Sequence, residues 1–151
     1  MFKRILVPID GSSTSALGLR EAVKLATTDG ARIRLVHVVN ELVVMSSPDA
    51  AAFVNADLIG VLRDAGRKIL AKASAQVQKA GVEPESVLIE SFGATAADKI
   101  VGEARKWKAD IIVLGTHGRR GLRRALMGSD AEQVVRSSTV PVLLVRSKTS
   151  A

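Results

Sequence analysis

The sequence predicts an α/β protein: a parallel sheet with helices on both faces, in one domain. Three observations carry this. Short apolar runs alternate with stretches spaced three and four residues apart, in the order β-α-β-α-β-α-β-α-β. The 151 residues fit one domain, and neither a linker nor an internal repeat divides them, so a single domain is expected over residues 1–151. Hydrophobic residues make up 47% of the chain, which excludes a disordered or low-complexity protein.

Each element has its own signal. Arg4 to Ile9 is an apolar run closed by Asp10-Gly11-Ser12-Ser13, a strand entering a turn. Thr14 to Thr28 carries Ala16, Leu19, Val23 and Ala26 at helical spacing, and Asp29-Gly30 ends it. Arg32 to Val39 reads as the second strand. Residues 40–56 are the least regular: the turn-like Met45-Ser46-Ser47-Pro48-Asp49 precedes an alanine-rich piece, a candidate mobile loop with a short helix. Leu58, Leu62, Ala65, Ile69, Ala73 and Val77 form the stripe of a long helix that Gly81 stops. Ser86 to Ser91 is the third strand, with Val87 and Ile89 on one face. Thr95 to Lys108 is a helix with Ala97, Val101, Ala104 and Trp107 inward. Ile111 to Leu114, Ser129 to about Arg136, and Val140 to Val145 complete the order as strand, short helix and fifth strand. Crossovers between parallel strands are right-handed.

The composition narrows function. There are no cysteines, which removes disulfides, thiolate metal sites and cysteine nucleophiles and suits a reducing cytosol. Behind Met1-Phe2-Lys3-Arg4 the apolar run is too short for a signal peptide, and no run approaches the ~20 residues of a membrane span. A soluble cytoplasmic protein, without membrane contact, is the expectation. The net charge of +7 permits anionic partners. Aromatic residues are only 3% of the chain and tyrosine is absent, which argues against single-stranded nucleic acid as the partner.

The stretch that carries chemistry is Gly115-Thr116-His117-Gly118, followed by nine residues and then Gly128-Ser129. It joins the fourth strand to the helix beginning at Ser129. Glycines at such a junction let backbone N–H groups approach a ligand, and the helix adds its positive end. Arg119, Arg120, Arg123 and Arg124 lie in the same loop, where planar guanidinium groups suit phosphate. A polyanion site follows, most simply one for nucleotide phosphates. In parallel α/β sheets ligands bind beyond the carboxyl ends of the strands. Asp10 lies just past the first strand and Gly115 just past the fourth, so the two share a crevice if those strands are neighbours. The spacing is neither the dinucleotide fingerprint nor a Walker loop.

The G-x2-G-x9-G-S pattern, the opening Lys3-Arg4-Ile5-Leu6-Val7-Pro8-Ile9-Asp10-Gly11-Ser12 and the ending Pro141-Val142-Leu143-Leu144-Val145 together closely resemble the universal stress protein family, over essentially the full length. The resemblance implies a Rossmann-like, open five-stranded parallel sheet in order 3-2-1-4-5, a homodimer and, in one branch of the family, ATP binding. It implies that Asp10 contacts ribose or a Mg²⁺ near the phosphates, that Pro8 and Val38 lie near the adenine edge, and that Gly115, Gly118, Arg119, Gly128 and Ser129 form the phosphate loop. Asp130 departs from the pattern, because ATP-binding members usually carry a small or apolar residue there. Its carboxylate favours the helix dipole but opposes a phosphate: two charges ~5 Å apart at an effective dielectric near 20 repel by roughly 3 kcal/mol.

Plainer readings stand beside these. Ser129-Asp130-Ala131-Glu132 is a capping box, with Ser129 capping Glu132, and Asp10-Gly11-Ser12 is ordinary turn chemistry. His37 reads as a strand histidine with a hydrogen-bond partner, and His117 as a loop residue facing phosphate or solvent. Two histidines without a carboxylate cluster make no metal site. No general base has a convincing partner, so binding is expected rather than turnover, with weak ATP hydrolysis at most. The competing reading is a dimeric interaction module without nucleotide; a nucleotidyl-transferring enzyme would need a catalytic lysine or histidine pair. If Val140 to Val145 lies at the sheet edge, pairing with the same strand of a second chain would cover it.

Overall fold

A computed structural model describes residues 1–40, 57–116 and 127–147. Five parallel strands form one sheet: β1 (Arg4–Pro8), β2 (Arg32–Asn40), β3 (Pro84–Ser91), β4 (Ile111–Gly115) and β5 (Val142–Val145). The described helices are α1 (Ser13–Asp29), α2 (Leu58–Lys79), α3 (Ala96–Trp107) and α4 (Ser129–Ser137). The order β3-β2-β1-β4-β5 is that expected from the family resemblance. Residues 41–56, 117–126 and 148–151 lie outside the description, and with them the expected mobile loop, His117, Gly118 and the four loop arginines.

Period-two alternation divides each central strand between two cores. Ile5, Val7 and Ile9 of the first strand segment join Ile33, Leu35, Ile111 and Val113 on one face, against Leu19, Ala22 and Ala26 of α1 and Leu70, Ala73 and Val77 of α2. Leu6, Val36, Ile112 and Leu114 face the other way, against α3 and α4 through Ala97, Val101, Trp107, Ala131 and Val134. Right-handed crossovers require this division. The chain moves from β1 to β3 in one direction, then returns past β1 to β4 and β5 with its helices on the opposite face.

Three expectations need correction. The buried line of α2 runs through Gly66, Leu70, Ala73 and Val77, while Ala65 is exposed. A glycine contributes nothing to an apolar stripe read from sequence, yet this one faces the sheet. A methyl group on Gly66 would lie 2.6 Å from Cδ2 of His37. The fifth strand begins at Val142, not Val140. The Ser138 hydroxyl accepts from the Val140 N–H at 3.2 Å and donates to its carbonyl at 2.8 Å, holding Val140 in a turn, and Pro141 has no N–H to give the ladder. Finally, Ser129 is the first residue of α4 rather than its cap. Gly128 is the N-cap, with no side-chain cap bond, and the Glu132 N–H bonds the Gly128 carbonyl at 3.0 Å. The expected capping box does not form. Glu132 instead pairs with Arg136 one turn on, at 2.7 Å. A capping box does form at Thr95 and Asp98 of α3.

Polar groups at the opposite end lock α3 to the sheet. Arg34 of β2 donates to Glu85 of β3 and, at 2.6 Å, to Glu103 of α3, and its guanidinium stacks 4.7 Å from the Trp107 ring centroid. The Arg34 hydrogen bond, with Arg32 and Trp107 adding to it, holds the Glu85 carboxyl below its ordinary range. Arg63 likewise holds the half-buried Glu90 low.

Candidate functional site

β1 and β4 are neighbours, paired Ile5 to Ile111 and Leu6 to Ile112. The sheet order reverses between them, because β2 and β3 lie on one side and β5 on the other. A ligand crevice is expected at such a reversal, and Asp10 and Gly115 follow the carboxyl ends of the two strands that flank it.

On the β1 side, the chain leaves the strand under restraint. The Ile9 N–H donates to the Val36 carbonyl at 2.8 Å. Asp10 then accepts from the Ser12 N–H at 2.8 Å, closing the turn at Gly11, whose φ of 82° suits glycine. Ser12 caps α1 by accepting from the Ser15 N–H at 3.1 Å. The turn-chemistry reading of Asp10 is thus met, and its carboxylate is engaged in the turn between the β1 end and the α1 N-terminus. Pro8 ends β1 and Val38 lies near the end of β2, on the α3-facing side of the sheet.

On the β4 side, Gly115 continues the inward row of Ile111 and Val113. It meets the first turn of α1 so closely that a methyl group there would lie 2.5 Å from the Thr14 carbonyl carbon and would overlap its oxygen. Gly18, one turn along α1, faces the same junction, with 3.2 Å between its added methyl and the Gly115 nitrogen. The glycine read from sequence as access for a ligand is also what lets helix and strand meet. Beyond it, the Thr116 N–H donates to the Val145 carbonyl at 3.0 Å, and its own carbonyl accepts from the Gly128 N–H at 2.6 Å. Thr116 therefore joins the two ends of the glycine loop and ties them to β5. The polar Thr116 is buried, a role that sequence reasoning missed because backbone partners leave no mark in the sequence of the glycine motif.

Helix α4 starts at this neck. Side chains cap the other described helices: Ser12 for α1, Asp57 for α2 and Thr95 for α3. Among the described helices, α4 alone has no side-chain cap. Ser129 and Asp130 are exposed in its first turn, with Glu132 adding a second acidic residue. Gly118 and Arg119 lie outside the described residues.

His37 was expected to be a strand histidine with a partner, and it is: its Nδ1 lies 2.7 Å from the Ile9 carbonyl, and its ring is buried against Gly66. Sequence reasoning missed its place beside Asp10. The available signal was a lone histidine on the inward face of an apolar strand. Among the described residues no cluster of three histidine or acidic side chains could hold a metal. Asp10 fits Mg²⁺ only as one carboxylate toward an ion whose other partners are nucleotide phosphates and water, which is ordinary Mg²⁺ chemistry.

Comparison with known proteins places these features. A profile of the universal stress protein family matches residues 1–146. The universal stress protein YxiE of Bacillus subtilis is 35% identical over 151 residues, covering 97% of this chain and all of the relative. The solved structure of protein MJ0577 of Methanocaldococcus jannaschii superposes with a TM-score of 0.84 at 28% identity, over 99% of both chains. A universal stress protein from Archaeoglobus fulgidus, solved in complex with dAMP, matches at 26% identity with a TM-score of 0.66, over 94% of this chain and 96% of that one.

Proposed function

This chain belongs to the universal stress protein family, and on that premise we propose that it binds an adenine nucleotide, ATP with Mg²⁺ in the first instance, as a cytoplasmic stress-response and signalling protein without efficient catalysis. The observation that carries the reading is the α4 N-terminus. The helix after the glycine loop is the one described helix without a side-chain cap, which leaves its positive end to a ligand. Pro8 and Val38 would line the adenine edge. Asp10 would take ribose or a nucleotide-borne Mg²⁺. Gly115, Gly118, Arg119, Gly128 and Ser129 would hold phosphates, with Asp130 beside them. The A. fulgidus relative bound to dAMP supports an adenine nucleotide. The homodimer would form through the edge strand, as Leu143 of β5 is 37% exposed.

One observation favours the second reading, a dimeric interaction module without nucleotide. Asp130 puts a carboxylate into the first turn of α4, where it can satisfy the helix dipole itself. Two measurements separate the readings: analysis of nucleotide released on denaturing the purified protein, and calorimetric titration with ATP and Mg²⁺. Co-purified nucleotide or saturable binding supports the first reading. No nucleotide and no heat at millimolar ATP would sink it.

A further inference from the structure

We propose that His37 is a positioning residue for Asp10. Both polar groups of the Ile9 backbone are held by β2: the N–H by the Val36 carbonyl at 2.8 Å, and the carbonyl by the His37 ring at 2.7 Å. The second bond fixes the plane of the Ile9–Asp10 peptide, one residue beyond the end of β1. A carbonyl only accepts, so Nδ1 carries the proton and donates. The ring itself has little freedom to move. It is 8% exposed, and α2 approaches it so closely at Gly66 that a single added methyl would lie 2.6 Å from its Cδ2. The chain of restraint runs from Gly66 through the imidazole to the Ile9 carbonyl, and from there into the Asp10 turn, whose closing bond is the Ser12 N–H to the Asp10 carboxylate at 2.8 Å. An aliphatic residue would fill the same space and release that peptide.

The inference rests on the nucleotide-binding reading of Asp10, and its test has one arm that needs no nucleotide. His37→Leu removes the donor, whereas His37→Asn keeps an N–H near the Nδ1 position. In nucleotide-free protein, amide hydrogen exchange at Ser12 should quicken by about tenfold in His37→Leu and return toward wild type in His37→Asn, with the amides of β4 unchanged. Calorimetric titration with ATP and Mg²⁺ should show about fivefold weaker binding for His37→Leu, the scale of one lost hydrogen bond. It should show no further loss when His37→Leu is combined with Asp10→Ala, because the two act through one carboxylate. Unchanged Ser12 exchange in His37→Leu would overturn the proposal, as would equal weakening of binding with and without Asp10→Ala. Failure of the wild type to bind nucleotide would instead remove the functional reading, while Ser12 exchange still decides whether His37 positions Asp10.

Discussion

Replacing Gly115 with alanine isolates the contact between α1 and β4. The added methyl would meet backbone, at 2.5 Å from the Thr14 carbonyl carbon and 2.9 Å from the Thr14 Cβ, so no rotamer change relieves it. Either α1 lifts from the sheet or the end of β4 bends. Overpacking of this kind costs about 1–3 kcal/mol, and a backbone obstacle favours the upper half of that range. The reduced freedom of the unfolded chain returns about 0.4–1 kcal/mol. A net loss of about 1–2.5 kcal/mol remains, which lowers the melting temperature of a chain this long by about 3–8 °C. The assay is thermal unfolding by circular dichroism without nucleotide, so that loss of ligand contacts plays no part. Gly102→Ala in α3 is the control, since a methyl there meets nothing within 4 Å and should stabilise slightly. An unchanged or raised melting temperature for Gly115→Ala would refute the close-approach argument.

Three further predictions follow from the same geometry. Glu85 is held low in the folded state, chiefly by its Arg34 hydrogen bond, so its contribution is full above the unfolded value near 4.5 and is lost as pH falls through the lowered folded value. Glu85→Gln should therefore lower stability at pH 7, with the gap to wild type closing below about pH 4.5; fluorescence of Trp107, the one tryptophan of the chain, reports the unfolding. Asp130→Ala should tighten ATP binding by about two- to fivefold at low salt, less than bare Coulomb repulsion suggests because the residue is exposed and screened; unchanged affinity would mean its charge faces away from the phosphates. Leu143→Arg should give a monomer on sedimentation if β5 pairs between copies. Leu143 serves better than Leu144, which packs against the α3 and α4 core and would unfold the protein for another reason.

What was legible in the sequence was what repeats. Apolar alternation in strands and three-and-four spacing in helices marked the nine elements of the described residues, and turn residues placed most boundaries within a residue or two. Strand order was not readable from periodicity, because nothing local says which strands are neighbours; the resemblance supplied it. The errors lie where one residue had two possible partners. Ser129 matched a cap by spacing, yet Gly128 took the position because the loop neck pulls its N–H onto Thr116. Gly66 and Gly115 were invisible as packing residues, since a missing side chain leaves no pattern. Asp10 and Gly115 were each legible, but their meeting depends on the pairing of β1 with β4.

The bond from Gly128 to Thr116 closes the glycine loop at its base, and the bond from Thr116 to Val145 anchors that base in the sheet. Residues between them can change in number or kind without moving a strand, since lengthening a closed loop adds only about 0.6 kcal/mol of closure entropy per doubling. The neck makes the loop an exchangeable cassette. Grafting a relative's residues between Thr116 and Gly128 is therefore expected to leave the pairing of β4 with β5 in place, which amide exchange in those strands would check.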